Sequence, residues 1–246
     1  MSLTQINLKP YWDENTIDRM DVTIKITGLS YKEGERLCSM QLSTVTIPGC
    51  EPNALQICDE SGAVLVKESE ETPYPYHWRR WNVQRGTEGN VKINYTVYPR
   101  EIKPTDICGP YFDFRAEKGG ANSAGFSFLM DIEKAEECED MSAMPEKSRG
   151  VCTLGEHKVK AKTLDRLREC YFAMGQLNAI EEGDFGFYWM SQPPFDVKEV
   201  AEYTKKLFGQ MQKFFKDTEK VYRIFVRKDP FLTSGGTALY RSYLFG

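Results

Sequence analysis

Apolar positions along the first 130 residues recur at every second place. Val22, Ile24 and Ile26 alternate with polar neighbours, and Val91, Ile93, Tyr95 and Val97 do so within "VKINYTVYPR". A period of two puts alternate side chains on one face of a half-buried strand. "CSMQLSTVTIPG" continues the pattern up to a turn signal at Pro48-Gly49. "GAVLVKE" and "AGFSFLMDIE" read as further short strands, and Pro99 closes "VKINYTVYPR" because proline cannot serve a central ladder. Helical periodicity is nearly absent, so the pattern predicts an N-terminal β-sandwich domain over residues 1–160. Within it, the charged run "EKAEECEDMSAMPEKSRG" (133–150) predicts a solvated loop or connector, helical at most in part.

The period changes after residue 160. "TLDRLRECYFAMG" fits one or two helical turns or an irregular segment, and "DFGFYWM" fits a short aromatic strand. Asp196 then stands three places before Glu199, the spacing of a capping box. Val200, Tyr203, Leu207, Met211, Phe214 and Phe215 follow at helical intervals and predict an amphipathic helix. "KVYRIFVRK" is a strand with Tyr222, Ile224 and Val226 on one face, broken at Asp229-Pro230. The last residues, "PFLTSGGTALYRSYLFG", are apolar where chain ends are usually polar. They suggest an element cut from its partner. Met1-Ser2-Leu3 reads as an added leader. The class is therefore mainly β with an α+β part at the C-terminal end, and no internal repeat stands out.

Composition narrows the chemistry. The formal net charge of −4 gives no general attraction to nucleic acid or an anionic membrane. No apolar run is long enough to span a bilayer and no secretion signal opens the chain, so a cytoplasmic location is expected. Seven cysteines, Cys38, Cys50, Cys58, Cys108, Cys138, Cys152 and Cys170, are widely spaced without a C-x-x-C and read as scattered free thiols. The only histidines are His77 and His157. They cannot form a helical zinc-protease motif, which needs two histidines four residues apart. His77 reads as part of an aromatic cluster and His157 as exposed. In "YPYHWRRWNV", Tyr76, Trp78 and Trp81 are expected to pack on a sheet while Arg79 and Arg80 stay solvated. Exposed aromatics there would instead suit a sugar or base. The Gly-Gly pairs at 119–120 and 235–236 lack the following helix and lysine of a phosphate loop. "TSGGTALYRS" is open to two readings: a tight turn into a strand, or a sheet edge where glycines let an extended peptide pair with the backbone.

Taken in order, "TLDRLRECYFAMG", "FGFYWMSQPPFDVKEVAEYTKKLFGQMQKFF" and "YRIFVRKDPFLTSGGTALYRSYLFG" resemble the glycyl aminopeptidase family of zinc metallopeptidases, often PDZ-associated. "VTIKITGL", "IPGCEPNAL", "HWRRWNV", "VKINYTVYPRE" and "GPYFDF" fall in the order of that family's N-terminal β-domain. The resemblance implies a β-sandwich followed, over 161–246, by the first elements of a thermolysin-like catalytic domain, truncated before the zinc motif. It also implies an HExxH helix after the Gly-Gly strand, in a longer parent, with zinc held there and no cofactor in this chain. Gly235 and Gly236 carry over as substrate-strand residues. The family continues that strand with a hydrophobic residue, a glutamate and a histidine, whereas here Thr237, Ala238 and Leu239 follow.

These readings give an inactive fragment of a metallopeptidase that braces the catalytic domain and lines a peptide cleft. The alternative is a non-catalytic peptide- or protein-binding module of the same fold, which the Ala238 departure favours. A carbohydrate-binding sandwich is a third reading. Expected partners are a peptide substrate, the chain's own missing C-terminal catalytic region and, through an uncovered C-terminal face, a second copy.

Overall fold

The structure is a computed structural model that describes residues 2–42, 55–73, 77–106, 111–135, 137–142 (backbone alone), 147–230 and 235–246. The Pro48-Gly49 turn, Tyr76, Cys50, Cys108 and the side chain of Cys138 lie outside the described residues. Among the described residues, four sheets carry the fold. In the first, seven strands run in the spatial order Lys158–Ala161, Glu137–Ser142, Leu3–Asp13, Thr16–Thr27, Val91–Val97, Gln56–Asp59 and Gly62–Ala63. Its alternation is the one the sequence predicts. Val22, Ile24, Ile26, Val91, Ile93 and Val97 are fully buried. The N-terminal strand pairs antiparallel with Thr16–Thr27 and, over Leu3–Leu8, parallel with Glu137–Ser142. Pro10 falls beyond that parallel ladder, where a missing N–H costs no bond.

The second sheet orders Asp131–Ile132, Arg36–Leu42, His77–Val83 and Val66–Glu71; the third orders Gly155–Glu156, Arg149–Cys152, Tyr171–Gly175, Gly120–Ala124 and Arg115–Glu117. One apolar cluster joins the first three sheets through Ile24, Ile93, Trp81, Phe114, Phe128 and Phe172. Helix α1 (Leu164–Arg168), capped by the Thr163 hydroxyl on the Arg166 N–H at 3.1 Å, adds Leu164 and Leu167 to the same cluster.

Several expectations need correction. The 133–150 stretch contains the strand Glu137–Ser142, because pairing uses backbone groups that carry no hydropathy signal. Leu3 begins the first strand, and Ser2 beside it is buried. "AGFSFLMDIE" is a 3-10 turn at Gly125–Ser127 followed by a two-residue strand. A Cβ on Gly125 would lie 2.6 Å from the Leu167 carbonyl, and the Phe128 and Leu129 N–H groups turn back to the Gly125 carbonyl instead of a neighbouring strand. "GAVLVKE" is split, with Leu65 68% exposed between two strands.

In the fourth sheet the order is Asn178–Glu182, Phe185–Trp189, Tyr222–Val226, Ser242–Phe245 and Gly236–Leu239, parallel in the middle and antiparallel at both edges. Helix α2 (Val197–Phe215) connects the two parallel strands Phe185–Trp189 and Tyr222–Val226. As predicted, Asp196 caps it, accepting from the N–H groups of Lys198 (2.9 Å) and Glu199 (3.2 Å). Val197 and Ala201 pack with Phe187 and Ile224, and Phe208 stacks on Tyr222 at 4.6 Å. The predicted stripe, however, does not face this core. Tyr203, Phe214 and Phe215 are 68, 78 and 69% exposed.

Candidate functional site

The strand Gly236–Leu239 ends the fourth sheet, and its outer edge meets no other strand among the described residues. Gly235 and Gly246 exchange both backbone bonds, at 3.4 and 3.1 Å. Antiparallel ladders alternate bonded and non-bonded pairs. Thr237 therefore bonds inward to Leu244, while Gly236 and Ala238 turn their N–H and C=O groups to the open edge. The Thr237 hydroxyl accepts from the Tyr111 N–H at 3.1 Å and ties the strand to the β-domain.

Tyrosines explain both glycines in packing terms. A Cβ on Gly236 would lie 2.4 Å from the Tyr243 ring, and one on Gly235 would lie 3.0 Å from Tyr111.

Beneath this edge sits a buried ionic cluster that sequence reasoning missed. Asp113 and Arg115 enter it from the third sheet, Arg227 and Asp229 from the end of the strand Tyr222–Val226. None of the four side chains is more than 5% exposed. Arg227 meets Asp113 at 2.9 Å, Arg115 meets Asp113 at 2.8 Å, and Arg115 also pairs with Asp229. The Arg227 guanidinium lies over the Tyr111 ring, 4.6 Å from its centre. Burial works to raise the Asp113 pKa, but the charges of Arg227 and Arg115 outweigh it and hold the carboxylate below its ordinary range. Burial pulls Arg227 down from its usual value. Asp229 Oδ2 is buried without a hydrogen-bond donor among the described residues, and a Cβ on Gly246 would come within 2.2 Å of it.

Glu117 borders the cluster. Burial pushes its pKa up to about 7, against the opposing bonds from the Lys228 N–H (3.3 Å) and Ser191. A partial signal did exist: Asp-x-Arg at 113–115 and Arg-x-Asp at 227–229 set opposite charges two residues apart, one pair at the start of the strand Arg115–Glu117 and the other just beyond the end of Tyr222–Val226.

The other sequence candidates are dispersed. His77 is 38% exposed in its side chain and meets Glu70 at 3.0 Å, rather than joining an aromatic cluster. His157 is exposed beside Glu156 at 3.3 Å. Among the described residues no group of three or more His, Cys, Asp or Glu side chains could hold a metal ion. Trp81 is buried and donates to Glu68 at 2.9 Å, so it offers no sugar platform. Arg79 and Arg80 are not left to solvent as expected: Arg79 pairs with Glu70 at 2.8 Å and Arg80 with Glu71 at 3.0 Å. Cys38, Cys58, Cys152 and Cys170 are free thiols. No helix among the described residues is long and apolar enough to cross a membrane.

Among the described residues, four β-sheets with a helix crossing between parallel strands define a mainly β protein with a small α+β part. The aminopeptidase N family protein from Idiomarina loihiensis is similar over 98% of this chain, with a TM-score of 0.65 and 15% identity. Native yeast LTA4 hydrolase is similar over 98% of it, with a TM-score of 0.50 and 14% identity. The chain spans 42% and 39% of the lengths of these two neighbours. No family model matches the sequence, and the search of curated proteins found no match.

Proposed function

We propose that the chain comprises the β-domain (1–160) and the opening catalytic-domain elements (161–246) of a glycyl aminopeptidase-like zinc metallopeptidase. The strand Gly236–Leu239 forms one wall of a peptide cleft, and the β-domain braces it through the buried Asp113–Arg227 and Arg115–Asp229 pairs. The observation that carries the reading is the open edge at Gly236 and Ala238, since an extended peptide binds such an edge by main-chain hydrogen bonds. The metal of such an enzyme would belong to an HExxH helix that these 246 residues do not include, so this chain binds peptide without hydrolysing it.

The test is amide exchange in the presence of a Gly-Ala-Ala peptide. Protection should appear at Gly236 and Ala238. Ala238→Pro should abolish it without unfolding the strand, because that N–H points outward. Unchanged exchange at both amides sinks the cleft. Ala238 itself favours the second reading, a non-catalytic peptide-binding module, because a methyl group cannot pair with a substrate ammonium. Equal affinity for free and N-acetylated peptide selects the module. A preference of about tenfold for the free amine, worth about 1.4 kcal/mol, selects the aminopeptidase lineage.

A further inference from the structure

The outward face of the seven-stranded sheet carries a groove that the peptide cleft does not use. Thr16–Thr27 and Val91–Val97 are interior strands of that sheet. Their inward residues, Val22 and Tyr95 among them, are buried in the core. The residues that alternate with these point the other way, Asp21 and Thr23 on one strand, Asn94 and Thr96 on the next. With Gln56 and Tyr98 they line an open groove of about 430 Å³. That volume falls in the range of small-ligand clefts. The register also sets Asn7, Thr23, Asn94 and Gln56 in one row across four strands.

Asparagine and aspartate are depleted in strands, so two of them in the middle of interior strands call for a reason. Two threonines orient them. The Thr23 hydroxyl donates to Asn94 Oδ1 at 2.9 Å, and the Thr96 hydroxyl donates to Asp21 Oδ1 at 2.7 Å. The Asn94 NH₂ group is left as a donor and Asp21 Oδ2 as an acceptor, each held in place before any ligand arrives. We propose that this groove binds a neutral saccharide through Asp21, Gln56, Asn94 and Tyr98.

The chemistry of the lining selects that occupant. Sugar hydroxyls both donate and accept, and the groove presents a fixed donor, a fixed acceptor and the two-way amide of Gln56. Successive rows stand about 6.6 Å apart along the strands, a step that one pyranose ring bridges. Tyr98 is 48% exposed, and its ring makes no aromatic or cation contact among the described residues. A flat ring of that kind stacks on the C–H face of a pyranose. Asp21 opposes an anion, while Lys9, its register partner on the N-terminal strand, already compensates it against a cation. An extended peptide would want an open sheet edge, and interior strands offer none. Lys25 and Lys92 stand opposite each other one row beyond the lining, where they would favour an acidic sugar instead. The proposal is independent of the peptide-cleft reading, and the tryptophan-bearing strand His77–Val83 lies in a different sheet.

Saturation-transfer NMR of the 246-residue chain with cellotriose, mannotriose, galactotriose and trigalacturonate tests it. At least one neutral trisaccharide should receive saturation. Titration calorimetry with that sugar should then show the dissociation constant rising about three- to tenfold in each of Asp21→Ala, Gln56→Ala and Tyr98→Ala. Gln56 and Tyr98 are exposed, so their variants should keep the wild-type circular dichroism. Trp78→Phe, in the other sheet, should leave the affinity unchanged. Silence from all three neutral sugars overturns the proposal, and so does binding untouched by the three groove variants. Binding of trigalacturonate alone, lost on Lys25→Gln with Lys92→Gln, overturns it in favour of an acidic ligand on the lysine row.

Discussion

Tyr243 leaves room for a hydrogen and nothing more at Gly236. The Cβ of Gly236→Ala would sit 2.4 Å from the ring, and overpacking of that kind costs about 1–3 kcal/mol, a loss that urea denaturation would read directly. Gly209 in α2 is the opposite case, with nothing within 4 Å, so Gly209→Ala should gain about 0.5–1 kcal/mol in the same assay. A Gly236→Ala variant as stable as wild type would show that the ring yields. Both glycines of the candidate site stand out in the sequence, yet the tyrosines that demand them do not. Tyr111 comes from a different sheet region, and its contact exists only once the chain has folded. The ionic cluster follows the same logic. The spacing of two at 113–115 and at 227–229 sets opposite charges close along the chain, but Arg115 and Asp229 are 114 residues apart, and no local pattern says that they meet.

At the scale of elements, signals that live in neighbouring residues were legible. Asp196 announces the start of α2, and the alternations at 22–26 and 91–97 give strands that bury the predicted faces. Removing the cap with Asp196→Ala should cost about 1 kcal/mol, measured as a lower thermal midpoint, because the Lys198 and Glu199 N–H groups lose their acceptor. An unchanged midpoint would place the cap's work elsewhere. Illegible were the elements defined by their partners. Glu137–Ser142 forms a strand because the first strand offers it a backbone edge, not because its side chains ask for one. The apolar stripe of α2 is real in the sequence, but periodicity cannot say which sector of it the sheet covers.

At the scale of the whole molecule, the junction between the third and fourth sheets carries a pH dependence. Burial raises the Glu117 pKa from 4.5 to about 7, so between those values the folded chain holds a proton that the unfolded chain has released. Stability must then fall as pH rises from about 5 to 7, by on the order of 2 kcal/mol, and level off above. Glu117→Gln should flatten that slope in pH-resolved denaturation, and a slope that persists in the variant would assign it to another group. The parallel pairing of Leu3–Leu8 with residues 137–142 has a consequence of a different kind. On the ribosome, the Leu3–Leu8 edge of the opening hairpin stays bare while some 110 further residues are made, on the order of ten seconds of synthesis at typical rates. Nascent-chain chemistry at that bare edge, rather than anything in the finished molecule, sets the interval in which this protein is most open to mispairing.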